Sequence, residues 1–77
     1  MKPVRYYVLQ VGDHWEVSCS RRDQPVTRHP DRRSALRAAQ DVALQQWQQH
    51  QVATEVLVNE GDAGWHQVAG YGSLLGA

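Results

Sequence analysis

Apolar and polar positions alternate with a period of two near both ends of the chain and follow a helical period in the middle. VRYYVLQV, residues 4–11, is rich in valine and tyrosine and reads as a strand. Gly12-Asp13 is a turn signal, and HWEVSCS then sets Trp15, Val17 and Cys19 on one side and His14, Glu16 and Ser18 on the other. Together they predict an antiparallel hairpin with Trp15 anchoring its buried face. The polar loop SRRDQP leads to a third short strand around residues 26–28.

HPDRRSALRAAQDVALQQWQQH carries the helix signal. Pro30 ends the strand, and Asp31 is placed to accept hydrogen bonds from the free N–H groups of the first turn. At about 100° per residue, Leu36, Ala39, Ala43 and Trp47 fall near one line, flanked by Ala35, Val42 and Leu44. Gln45, Gln48 and Gln49 project outward, so the stretch QQWQQHQ is read as the end of an amphipathic helix with Trp47 as a core residue. The three alanines allow the helix to lie close to a sheet.

TEVLVN reads as a further strand, with Val56 and Val58 inward and Leu57 opposite them. NEGDAG is a turn, and WHQV a last short strand. The pattern predicts one α+β domain spanning residues 1–77, a two-layer sandwich. Its small antiparallel sheet runs in the order β-β-β-α-β, with a closing β, and one helix packs on one face. The ordered core is expected over residues 4–69. The glycine-rich tail GYGSLLGA, residues 70–77, is expected to be partly flexible.

Several of these positions also form a motif. Tyr6-x-Val8, a Gly-Asp turn, Trp15-x-Val17, a capped alanine-rich helix, a valine-rich strand, an acidic glycine turn and Tyr71-Gly72 follow one another over residues 6–72. This resembles the bacterial family called domain of unknown function 2188. The chain departs from the family pattern at His14, where a small residue usually precedes the Trp. It departs also at Asp31, where the family has Thr, and in the glutamines that end the helix. The resemblance implies a small α+β fold and brings no activity with it.

Composition narrows the functional classes. At 77 residues the chain buries only about 60–65% of its unfolded surface, so a deep catalytic cleft would compete with the core for the same residues. Cys19 is the single cysteine and cannot form an internal disulfide, which suits a reducing cytoplasm. The N-terminus has no apolar run of signal-peptide length, and no segment approaches the roughly 20 apolar residues of a membrane span.

Candidate chemistry is sparse. His14, His29, His50 and His66 form no H-x-x-x-H spacing, and Cys19 has no cysteine partner, so no metal is implied. Ser18, Cys19 and Ser20 lie near a strand end without a nucleophile elbow or a visible base, and Cys19 shares the parity of the core. No glycine pair makes a phosphate loop, and no cofactor is implied. The chain is read as non-enzymatic.

Two surfaces remain. If Tyr6 and Val8 join Trp15 and Val17 in the core, then Tyr7, Leu9 and Val11 form an apolar line on the face a two-layer fold leaves open. Either the tail at Leu74-Leu75 or a final strand folds back over that line, or it is the interface for another protein or a second copy. The second surface is basic. Net charge is zero, yet all eight Lys and Arg lie at or before Arg37, with only four of the eight acids. Arg21, Arg22, Arg28, Arg32 and Arg33 would share one region if the loop holding the first two folds toward the helix start, where anions are favoured. That would make a weak nucleic-acid or polyanion site, against which Asp23, Asp31 and the absence of an RNA-binding aromatic motif argue. The sequence therefore ranks protein interaction or homodimerisation first and polyanion binding second.

Overall fold

A computed structural model of the chain describes residues 2–72. Its elements run β1 (Val4–Val11), β2 (His14–Cys19), β3 (Thr27–His29), α1 (Arg32–His50), β4 (Thr54–Asn59), a single 3-10 turn at Gly61–Ala63 and β5 (Trp65–Tyr71). The five strands form one sheet in the order β3-β2-β1-β4-β5, and α1 covers one face of it. The α+β two-layer reading holds.

The sheet is mixed rather than antiparallel. β1–β2, β2–β3 and β4–β5 pair antiparallel, but β4 runs parallel to β1, with Val4 opposite Thr54 and Val8 opposite Val58. Chain direction explains this. After two antiparallel turns β3 runs the same way as β1, and α1 carries the chain back, so β4 starts where β1 starts. Both free edges of the three-stranded sheet point in one direction, and a returning strand is parallel to whichever it joins. It joins β1, where the Val4 N–H donates to the Ala53 carbonyl at 2.9 Å.

Parity within the sheet decides the core. Val4, Tyr6 and Val8 of β1, Val17 of β2 and Thr54, Val56 and Val58 of β4 are all buried toward the helix. Ala35, Ala39 and Ala43, four residues apart, are fully buried and let α1 lie close to these strands. Leu36, Val42, Trp15 and Cys19 pack around them, half-buried. Asp31 is the N-cap: its carboxylate accepts from the Ser34 N–H at 2.7 Å. The C-cap is Gln51, left-handed at φ 56°, with its N–H bonded to the Trp47 carbonyl at 2.9 Å.

Two expectations at the C-terminal side change. The last strand is not a short WHQV but extends through Gly70 and Tyr71, so residues 70–72 are part of the fold. Trp47 is half-buried outside the main core cluster, its ring lying against the backbone of Gly72. Gly72 has φ +65°, and a Cβ there would run into that ring. Leu74 and Leu75 lie outside the described residues. No helix is long and apolar enough to cross a membrane among the described residues.

Candidate interaction face

The face of the sheet away from α1 is built by the alternate residues of the same strands. On β1 it carries Arg5, Tyr7, Leu9 and Val11, the last three being the expected apolar line. Register adds what the first strand alone does not show. Tyr7 lies beside Leu57 of β4, and Leu57 lies beside Gln67 of β5, which puts Trp65 on this face as well. The rings of Tyr7 and Trp65 meet edge to face, centroids 5.4 Å apart and planes at 74°. Tyr7, Leu9 and Leu57 are half-buried, while Trp65 is 46% and Val11 38% exposed. An apolar patch thus runs from the centre of the sheet to its β5 edge.

The final strand does not fold back over this patch; it extends the sheet sideways. Leu57 was legible from its parity opposite Val56 and Val58. Trp65 was not, because its face depends on how the 3-10 turn sets the register of β5 against β4.

The charged groups bordering the patch are paired among themselves. Arg5 Nε donates to Glu55 Oε1 at 3.0 Å. That bond, with a lesser contribution from Tyr7, raises the Arg5 pKa above its ordinary value. On the other side His14 Nε2 lies 2.8 Å from Glu16 Oε2, and Arg28 Nε reaches the same oxygen at 4.0 Å. Each cation on this face stands beside a carboxylate, so the face presents no field of a single sign.

The arginine set does not assemble. Arg21 lies at the foot of β2, paired with Asp23 at 3.6 Å, and shares a depression with Gln46 and His50 at the helix C-terminus. Arg22 is exposed in the same loop. Arg32 and Arg33 are at the other end of α1, a 19-residue helix about 28 Å long, and Arg32 pairs with Glu60 at 3.1 Å. Arg28 projects from the open face. The loop leaves the bottom of the hairpin whereas the helix begins at the top, so the condition for one basic region is not met. Arg37, absent from that set, does share a surface groove with Arg32 and Arg33.

A small cleft of about 220 Å³ opens between the β2–β3 edge and α1, lined in part by Tyr6, Cys19, Gln24, His29 and Val42. Several of its polar groups are already engaged. The Tyr6 hydroxyl donates to Gln24 Oε1 at 3.0 Å, Thr27 Oγ1 bonds His29 Nε2 at 2.9 Å, and the Arg21 N–H donates to Cys19 Sγ at 3.4 Å. Burial raises the Tyr6 pKa. Ligand pockets generally run from about 300 Å³ upward, and this cleft is smaller. Among the described residues no cluster of His, Cys, Asp and Glu is arranged to hold a metal ion.

Comparison with known proteins gives no match to a protein-family model, a curated protein or a solved structure. The likeness to the domain of unknown function 2188 family therefore rests on its motif residues alone. In the fold those residues are structural. Tyr6, Val8 and Val17 are core, Trp15 and Tyr71 pack against it, and Gly72 seats Trp47.

Proposed function

We propose that the protein is a non-enzymatic binding module of the cytoplasm whose open sheet face docks against another protein surface. The observation that carries this reading is the Tyr7–Trp65 pair, with Trp65 exposed and Tyr7 half-buried, continuous with half-buried Leu9 and Leu57 on a face that no helix covers among the described residues. Aromatic side chains supply large contact area at small entropic cost and are enriched where proteins associate. The self-paired ions at the rim suit a neutral protein partner better than a polyanion, which would have to compete with Glu16 and Glu55.

Polyanion binding is the second reading. It would now rest on Arg32, Arg33 and Arg37 rather than on the five arginines of the sequence pattern. Two variants separate the readings. Immobilised wild type, Leu9→Asp and a doubly substituted Arg33→Glu/Arg37→Glu protein are compared for retained partners, and each is titrated with a random-sequence DNA duplex at low salt. The face reading expects partners lost with Leu9→Asp alone and no DNA binding. Salt-reversible DNA binding lost with the arginine variant, and unaffected by Leu9→Asp, would replace it.

A further inference from the structure

The two edges of the sheet are unlike. β3 is three residues long, carries Arg28 and lies between Pro25 and Pro30, all features that discourage another strand from pairing there. β5 is seven residues, WHQVAGY, without a charged residue or a proline. In strand order nothing described lies beyond it.

The backbone of β5 has a defined direction at this edge. The Glu60 N–H donates to the Gly64 carbonyl at 2.8 Å, which makes that pair a hydrogen-bonded one. In an antiparallel ladder such pairs alternate with pairs whose N–H and C=O groups point the other way. Counting along the register, Asn59–Trp65 and Leu57–Gln67 are of the second kind. The N–H and C=O groups of Trp65 and Gln67 therefore point out over the free edge. Beyond them the ladder shifts between Val56 and Leu57, leaving Val68 as an extra residue, and this bulge ends the regular stretch.

We infer that β5 is a self-pairing edge: two copies of the chain join antiparallel through Trp65–Gln67, about a two-fold axis at His66, into one ten-stranded sheet. This register sets Trp65 of each copy against Gln67 of the other and uses all four outward N–H groups in four new hydrogen bonds. The edge carries no Asp, Glu, Lys or Arg, so no permanent like charges meet, and the two His66 side chains are set side by side at the axis. A two-fold axis that joins antiparallel strands in one sheet stands perpendicular to that sheet, so both helices lie on one side and both open faces on the other.

Area favours a second copy over an isolated peptide. Five strands about 4.8 Å apart, with about six residues at roughly 3.3 Å each, give a face of roughly 480 Å². That falls short of the about 800 Å² per partner of a standard interface. Pairing through β5 sets the two apolar patches side by side, because each patch ends at Trp65, and the joint face reaches that size. The inference rests on the docking reading for the use of the joint face, but not for the pairing itself.

The test is sedimentation equilibrium of the full chain over a concentration series, with amide hydrogen exchange read residue by residue. A dimer is expected, with the Trp65 and Gln67 amides slowed at least about tenfold as concentration rises, since they gain acceptors across the axis. Gln67→Pro removes an outward N–H that β4 does not use, and Val68→Lys sets a charge beside the edge; both are expected to be monomeric. If Gln67→Pro does not fold, Val68→Lys and the exchange pattern decide. A chain that stays monomeric, or a dimer in which these two amides exchange at monomer rates, overturns the inference. A dimer that survives both edge variants and dissociates with Leu9→Asp also overturns it, while supporting face-to-face docking. Loss with the edge variants and survival with Leu9→Asp supports edge pairing, and the docking reading then stands or falls on its own partner test.

Discussion

Trp65 of β5 reaches across β4 to meet Tyr7 of β1 edge to face, with the ring centroids 5.4 Å apart. The pair joins two strands that share no backbone hydrogen bond and shields Leu57 between them. Such a contact adds about 1 kcal/mol beyond its buried area, far less than a core aromatic truncated to alanine, which costs about 3–5 kcal/mol. Trp65→Ala should therefore lower unfolding stability in urea by about 1–2 kcal/mol, while removing binding to the open face. A loss of core-like size would mean that Trp65 belongs to the fold rather than to a docking surface.

Gly72 faces a double constraint, a left-handed φ of +65° and the ring of Trp47. Gly72→Ala should cost about 2–4 kcal/mol, combining backbone strain with overpacking. In a Trp47→Ala background the same substitution should cost only the backbone part, about 1–2 kcal/mol. Thermal or urea unfolding of the four proteins in the cycle measures both. Equal costs in the two backgrounds would show that the ring does not press on residue 72.

Thr54 is 1% exposed, and its hydroxyl donates to the Ala43 carbonyl at 2.8 Å, tying β4 to α1. Thr54→Val keeps the shape and removes the bond, so stability should fall by about 1 kcal/mol. Helix amides near Ala43 and Trp47 should exchange faster in the variant.

Stability should decline at both ends of the pH range, with Asp31 contributing to the acid limb and Tyr6 to the alkaline one. The Ser34 backbone hydrogen bond lowers the Asp31 pKa below its ordinary 3.8. Asp31 thus contributes stability above about pH 3.8 that is lost as pH falls through the lower folded value. Asp31→Asn, which can still cap the helix, should flatten that acid limb. Burial raises the Tyr6 pKa above its ordinary 10.0, so its contribution is complete below pH 10.0 and is lost as pH rises through the folded value. Tyr6→Phe should flatten the alkaline limb and, by losing the Gln24 bond, cost about 1 kcal/mol at neutral pH. Melting temperatures across the pH range, compared with wild type, check both.

Much of the architecture follows from local pattern. Period-two alternation places Tyr6, Val8, Trp15 and Val17 toward one layer, and Tyr7 and Leu9 toward the other, because successive side chains on a strand must oppose. Asp31 before an alanine-rich stretch marks the helix start for an equally local reason, the unsatisfied N–H groups of its first turn. Even the parallel β1–β4 pair is implicit in the element order, since chain direction after a hairpin, a third strand and a helix leaves no other sense. Reading the strands one at a time hides it.

What only the tertiary structure decided involves residues distant in sequence. Trp47 looks like core on a helical wheel, yet it rests on Gly72, because the end of β5 comes back under the last turns of the helix. Trp65 joins the open face through a register set by the turn before β5 and broken by the bulge after it. The arginines disperse because chain direction puts their loop and the helix start at opposite ends of the domain. The sequence by itself determined which side of each element is apolar, since that depends on backbone geometry one residue at a time. Which of those sides stay uncovered depended on how the elements pair, a matter of register and direction that no single segment carries.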